Sequence, residues 1–273
     1  MKNIQENKQL FQNLFKDVLS NPGQLADYYY YFHAYSFGNM ALLKSQGVNS
    51  PVATFKQWGK VNRRVNKGAE AKYILVPVSF KSYRDTPDSE EMEEFTFTRF
   101  FLKKCIFELN DTNGDEFYTP EVLFPEFDKA KLLTGLGISE ILFSKQKSLN
   151  SQGYANPNRN EIAINPIAKY PTKTILHEIA HCLLHKRDEG GLTIHGIEIP
   201  RDLREVEAES TAYLVGCFLG LFDEQCKYYS RGYIQNCILT SEIPERSVQR
   251  IFGAVDKIIK ALSKSAETNQ VAA

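Results

Sequence analysis

The stretch TILHEIAHCLLH, Thr174 to His185, holds three of the five histidines in the chain. His177 and His181 are four residues apart, and on an α-helix such residues lie one above the other on one face. Two imidazoles about one turn apart can grip a single ion. Glu178, about 100° further round, can reach a water in the ion's open position. The competing reading is a helix whose histidines are satisfied within the core. The ends favour a helix over 172–187: Thr172 can cap it after Pro171, Lys186 and Arg187 suit its last turn, and Gly190–Gly191 follow.

A catalytic zinc needs a third protein ligand. His185 lies one turn beyond His181, but the long metzincin pattern would need Gly at 184 and His at 187, where Leu184 and Arg187 stand. His185 therefore reads as a helix-end histidine favoured by the dipole. The better donor lies in REVEAESTAYLVG (204–216), where Ala208, Ala212 and Gly216 form a small-residue stripe at helical spacing that lets another helix approach. Glu205 and Glu209 flank that stripe. Glu207 is rotated about 200° from Glu205 and reads as a solvated charge, with Glu207 as the alternative ligand. The expected metal set is His177, His181 and Glu205 holding zinc, with Glu209 orienting a ligand imidazole from behind.

HExxH followed 24 residues later by a helical glutamate resembles the gluzincin-type zincin metallopeptidases. The resemblance implies that zinc polarises a water and the scissile carbonyl, with Glu178 as general base. It makes EIAINP (161–166), through Ile162, Ala163 and Ile164, the edge strand that receives an extended peptide. Tyr213 and His195 become candidates for stabilising the tetrahedral oxyanion.

At 273 residues two domains are the natural expectation. Formal net charge is zero, which excludes a chain that is basic throughout but not a local basic patch. Five cysteines form no CxxC pair and read as reduced thiols of a cytoplasmic protein. The polar, amphipathic MKNIQENKQLFQNLF lacks a signal peptide's apolar core, and no run approaches the roughly 20 apolar residues that span a membrane. Helical spacing covers 5–19, about 25–45, 201–222, 226–238 and 245–264, with a shorter helix near 127–134. KYILVPVSF (72–80), FTFTRFFLKKCIFEL (95–109), EILFS and EIAINP read as strands, joined at 81–94 by a polar, acidic loop. NDTNGDEFYTP (110–120) is dense in turn formers and marks the domain boundary.

From Lys44 to Arg84 nine basic residues stand against Glu70 alone: Lys44, Lys56, Lys60, Arg63, Arg64, Lys67, Lys72, Lys81 and Arg84. They neighbour YYYYFHAYSF (28–37) and Trp58. A positive groove with aromatic faces suits single-stranded nucleic acid. Core tyrosines beneath a lysine-coated surface would give the same composition, and both readings stay open on that ground.

NMALLKSQG (39–47), TFKQWGKVNRRVNKG (54–68), ILVPV (74–78) and CIFELNDTNGDEF (105–117), in that order, resemble the N-terminal domain of the ArdC-type antirestriction proteins of plasmids and other mobile elements. HEIAH, REVEAESTAYLV and GYIQNCI match the second half of that family. The insert at 85–94 is longer than the family pattern, and YIQNCI lacks a tryptophan that often follows such a tyrosine. The resemblance implies an α+β fold: residues 1–117 an α+β domain binding single-stranded DNA, 118–265 a mainly helical zincin-like metallopeptidase domain with a small β-sheet, 266–273 a disordered tail. The DNA-contacting candidates are Lys44, Lys56, Trp58, Lys60, Arg63, Arg64 and Lys67. The implied function is a DNA-binding zinc peptidase that protects incoming DNA, cleaving proteins on it. The alternatives are a DNA-binding shield with a structural or vestigial zinc, and a regulatory peptidase that acts on a repressor.

Overall fold

The computed structural model describes residues 4–85, 92–119, 121–144, 151–186, 193–194, 197–240 and 243–267. The fold is α+β and its contacts divide into two compact units, Asn3–Gly38 with Glu121–Ala273, and Asn39–Pro120. This differs from the expected split at 117/118, because residues 3–38 go with the C-terminal half. Four helices open the chain: α1 (Ile4–Ser20), α2 (Gln24–Asp27), α3 (Tyr29–Phe32) and α4 (Phe37–Ser45). The single helix expected over 25–45 is broken because Phe32 and Phe37 are both fully buried. Five residues apart, they would point about 140° away from each other on one straight helix.

In the smaller unit, β1 (Val52–Thr54) leads into α5 (Phe55–Lys60), whose N-terminus is closed by a capping box between Thr54 and Gln57. Then come β2 (Arg63–Val65), β3 (Lys72–Asp85), β4 (Met92–Glu108) and β5 (Thr112–Gly114). β1, β4 and β3 form an antiparallel sheet in that order, and β2 pairs with β5. Strand runs further than the sequence suggests on both sides of the acidic insert, up to Asp85 and again from Met92; residues 86–91 lie outside the described residues.

β3 is an edge strand, and α4 seals part of that edge with side-chain amides. Asn39 Nδ2 donates to Leu75 O at 3.0 Å while Leu75 N donates to Asn39 Oδ1 at 2.7 Å. Gln46 does the same for Tyr73, at 2.9 and 2.7 Å. Asn39 in α4 and Gln46 just past its end thus match two residues on β3, and backbone groups find partners that a neighbouring strand would otherwise supply.

The larger unit continues with α6 (Lys129–Leu136), β6 (Ser139–Glu140), β7 (Gly153–Asn156), β8 (Glu161–Ile164), α7 (Pro171–Leu184), β9 (Thr193–Ile194), β10 (Ile197–Glu198), α8 (Arg201–Phe218), α9 (Glu224–Thr240) and α10 (Glu245–Glu267). α10 buries Val248, Ile251, Phe252, Val255, Ile258, Ile259 and Leu262, a stripe at three- and four-residue spacing. Each such side chain contributes about 1.5–3 kcal/mol when fully buried. α1 and α2 pack on this framework, α1 against α8 and α10 and α2 against α8, and the Phe15, Tyr29 and Phe37 rings meet Phe218 and Phe252. That aromatic packing explains why residues 3–38 belong here, and it puts Tyr29, Phe32 and Phe37 of the tyrosine-rich segment in the core while Tyr30 stays exposed. α10 reaches Glu267, so two residues of the expected tail are helical and 268–273 lie outside the described residues. Among the described residues no helix is long and apolar enough to cross a membrane.

Candidate metal centre

α7 starts one residue earlier than its sequence suggests. Pro171 takes the first helical position, where its missing N–H costs nothing, and Tyr170 is the N-cap. Thr172 does not cap. Thr174 instead donates its hydroxyl to Tyr170 O at 3.0 Å. The helix ends at Leu184, and Arg187, Gly190 and Gly191 lie outside the described residues. α8 packs alongside α7. Ala208 and Ala212 are fully buried, but Gly216 serves a different neighbour: a Cβ there would stand 2.3 Å from the Phe222 ring.

Across the two helices His177, His181 and Glu205 come together as a group able to hold a metal ion. The Nε2 atoms of the histidines are 3.1 Å apart, and Glu205 Oε2 lies 3.5 Å from the first and 3.7 Å from the second. Tetrahedral zinc with ligands at about 2.0–2.1 Å separates its ligand atoms by about 3.3 Å. The triangle therefore fits such an ion. The charges agree: burial opposes protonation of His177, yet the Glu205 and Glu209 carboxylates overcome it and hold its pKa up at about 10. The same field favours a cation between the nitrogens. Hydrogen bonds from the two histidines hold Glu205 well below the usual carboxylate range despite its partial burial.

Each imidazole is held from behind at Nδ1. His177 Nδ1 is 3.1 Å from Glu209 Oε2, and Lys173 Nζ is 2.7 Å from the other oxygen of that carboxylate. Burial works against ionising Glu209, but His177 and Lys173 bring it down to about 2. His181 Nδ1 is 2.8 Å from His185 Nδ1, and His185 Nε2 is 2.9 Å from Glu207 Oε2. Burial pushes His185 down to about 4, so it is neutral with a single N–H. The consistent proton assignment has His181 Nδ1–H donating to His185, and His185 Nε2–H donating to Glu207. With each Nδ1–H held from behind, a metal ion that displaced the Nε2 protons would find both Nε2 lone pairs directed toward it beside Glu205.

Two expectations are corrected here. Glu207 is 0% exposed, bonded to His185 and 3.4 Å from Arg250, and is no solvated charge. Its rotation from Glu205 directs it into the interior, where a histidine waits. His185 is placed by Glu207 and His181 rather than by the helix dipole.

A cleft of about 840 Å³ opens on the triad, lined by β7, α7 and the first turns of α8. Glu178 lines it and is buried, and burial raises its carboxyl above the ordinary value. Gly153 makes that possible. A Cβ at 153 would lie 3.0 Å from Glu178 Oε1 and 2.8 Å from Thr174 Cγ2. The strand at the cleft is β7, not β8. β8 is central, flanked by β7 along its length and by β6 at Glu161 and Ile162, with Ile162 and Ala163 fully buried, and none of its residues lines the cleft. Tyr213 is also misplaced: it is fully buried away from the cleft lining, and its hydroxyl accepts from Arg231 Nε and Nη2 at 3.3 and 3.1 Å. His195 lies outside the described residues.

The basic segment divides in two. Lys56, Lys60, Arg64 and Lys67 are exposed, and Lys44 is half-buried on α4. Trp58 is 2% exposed, donates Nε1–H to Phe107 O at 2.9 Å and packs edge-on against Phe117, so it offers no face to a base. Arg63 is turned inward on β2. Its guanidinium donates to Thr112 Oγ1 and O at 2.8 and 2.9 Å and to Asp115 O, joining β2 to β5. Both are structural in this fold.

The sequence matches the family description "N-terminal domain of anti-restriction factor ArdC" over residues 5–106, a span that includes α1–α3 as well as most of the smaller unit. No curated protein matches it. Among solved structures it is similar to the metal-free antirestriction protein ArdC from plasmid R388 (16% identity, TM-score 0.47, covering 94% of this chain and 98% of that one). It is likewise similar to the Mn(II)-bound structure of that protein, at 14% identity and TM-score 0.44, covering 93% and 98%. Residues 5–106 are thus similar to the N-terminal domain described for anti-restriction factor ArdC.

Proposed function

We propose that the chain is a metal-dependent peptidase, zincin-like in its C-terminal half, joined to a domain that binds single-stranded DNA, and that it serves antirestriction for a mobile genetic element. The observation that carries the peptidase reading is the triangle of His177 Nε2, His181 Nε2 and Glu205 Oε2, 3.1–3.7 Å on a side, sharing a cleft with the Glu178 carboxylate. A divalent ion held there, zinc by expectation and manganese by the same donor set, supplies Lewis acidity for attack on an amide. Glu178 is the group that takes a proton from the attacking water and returns it to the leaving nitrogen as the C–N bond breaks. Glu209 and His185 keep the two imidazoles in the tautomer that points Nε2 inward. The free edge of β7, rather than β8, is where an extended substrate adds by main-chain hydrogen bonds.

For DNA, the exposed Lys56, Lys60, Arg64 and Lys67 support the reading, with Lys44 beside them in sequence. Tethering a peptidase to a strand-binding domain raises the local concentration of DNA-bound proteins at the cleft.

The test is elemental analysis of wild type, Glu205→Ala and Glu178→Gln, followed by cleavage of an unfolded protein with and without a single-stranded oligonucleotide. One ion per chain in wild type and Glu178→Gln, none in Glu205→Ala, and turnover in wild type alone is the expected pattern. A wild type that takes up neither zinc nor manganese would leave a DNA-binding shield as the reading. Salt-independent affinity for single strands, unchanged in Arg64→Glu/Lys67→Glu, would remove the DNA half.

A further inference from the structure

The cleft holds two cations that nothing in the described structure neutralises. Arg201 and Arg204 lie three residues apart at the start of α8, on neighbouring positions of one helix face, and both line the cleft with His177, Glu178 and Glu205. The third cation of the lining, Lys173, is tied to Glu209 at 2.7 Å. Among the described residues the two guanidiniums have no ion pair and no side-chain hydrogen bond. Arg201 is exposed and Arg204 half-buried, so neither is folded away. A guanidinium presents its donors in a fixed fork that matches a carboxylate, and a cleft with low-dielectric walls concentrates its field.

We propose that Arg201 and Arg204 form a subsite that reads a carboxylate carried by the peptide substrate. The inference rests on the peptidase reading above and names its substrate class. A peptide is favoured over a nucleic acid on two grounds. Gly153–Asn156 lies at the edge of its sheet and lines the same cleft, so an extended backbone laid there runs past α8. Glu178, Glu205 and Glu209 also line the cleft, and they repel a run of phosphates far more than one carboxylate.

The experiment uses the zinc-loaded full chain carrying Glu178→Gln and reads binding by fluorescence anisotropy. The probes are fluorescein-labelled ten-residue peptides: one with a central glutamate and an amidated end, one with glutamine in its place, and one with glutamine and a free C-terminal carboxylate. A carboxylate-bearing peptide should bind about tenfold tighter than the neutral one, the equivalent of one charge-assisted hydrogen bond. Which of the two does so separates a side-chain carboxylate from a terminal one. Adding Arg201→Ala/Arg204→Ala should erase the difference while zinc content and near-ultraviolet circular dichroism stay unchanged. Equal binding of all three peptides, or a preference that survives the double substitution, overturns the proposal. So does an oligonucleotide that binds the cleft through these arginines while the peptides show no preference.

Cleavage of the same peptides by the wild type is measured alongside. Arginine-dependent selectivity without cleavage would keep the subsite and sink the peptidase. Cleavage without selectivity would do the reverse.

Discussion

The two histidines of α7 are held for the same purpose by opposite means. His177 leans on Glu209, and that carboxylate is backed by Lys173, whose side chain is 21% exposed at the cleft. His181 leans on His185 and then Glu207, which are 2% and 0% exposed, and the relay ends on Arg250 of α10, whose side chain is 22% exposed. Water can take the place of Lys173 if that pair is broken, although Glu209 itself is buried. At the other flank it is the His185–Glu207 bond that water cannot replace, since both partners are buried. The orientation of one ligand is thus coupled to what fills the cleft, and that of the other to the integrity of the helical core.

The largest effect is expected at the buried flank. Glu207→Ala should reach the upper end of the about 1–3 kcal/mol that an unpaired buried donor costs, because it leaves the His185 N–H without its acceptor in the interior. The urea midpoint measured with metal stripped reads this directly, and Glu207→Gln, which keeps an acceptor for His185, should recover much of it. A midpoint equal to wild type would erase the contrast between the flanks. Next comes Glu209→Ala. Loss of an outer partner weakens metal binding about 10- to 100-fold, which competition with a chromophoric chelator measures, while the urea midpoint moves far less than for Glu207→Ala. Comparable stability losses would show that both flanks belong to the core.

Gly153→Ala probes the cleft side without touching a ligand. Its methyl would press on Thr174 Cγ2 and Glu178 Oε1, at a cost of about 1–3 kcal/mol for overpacking. Peptide turnover should fall with metal content intact, and full activity would mean that the strand yields instead. The smallest effect is expected from Lys173→Gln, since water can stand in for the partly exposed ammonium, and it should fade as salt rises. A salt-independent loss of metal there would place Lys173 with the buried flank.

What could be read in advance followed periodicity. A four-residue spacing on one helix and a glutamate pattern on the next put three donors at one point because both elements are rigid and regular. The angular argument at Glu207 had the direction right and the destination wrong: a helical wheel says which way a side chain points, not what lies there. EILFS reads as a strand, but a strand's pattern does not say which strand it pairs with, and only Ser139 and Glu140 join β6 to β8. The basic segment carried no geometry at all. Composition could not separate Arg63, bonded to backbone carbonyls, from exposed Arg64 beside it. Nor could it tell that Trp58 would be needed as core in a unit with so thin a sheet. Arg201 and Arg204 passed unnoticed since two arginines on a helix look like solvated charges until the cleft around them is seen.

The amides of Asn39 and Gln46 bear on how this protein behaves in a crowded solution. β3 is fourteen residues long, and an unpaired strand of that length is a template for other chains. By occupying the backbone groups of Tyr73 and Leu75, one side chain from α4 and one just beyond it deny that template to strangers. Asn39→Leu/Gln46→Leu should therefore fold yet cloud on concentration, its damage appearing between molecules rather than within one.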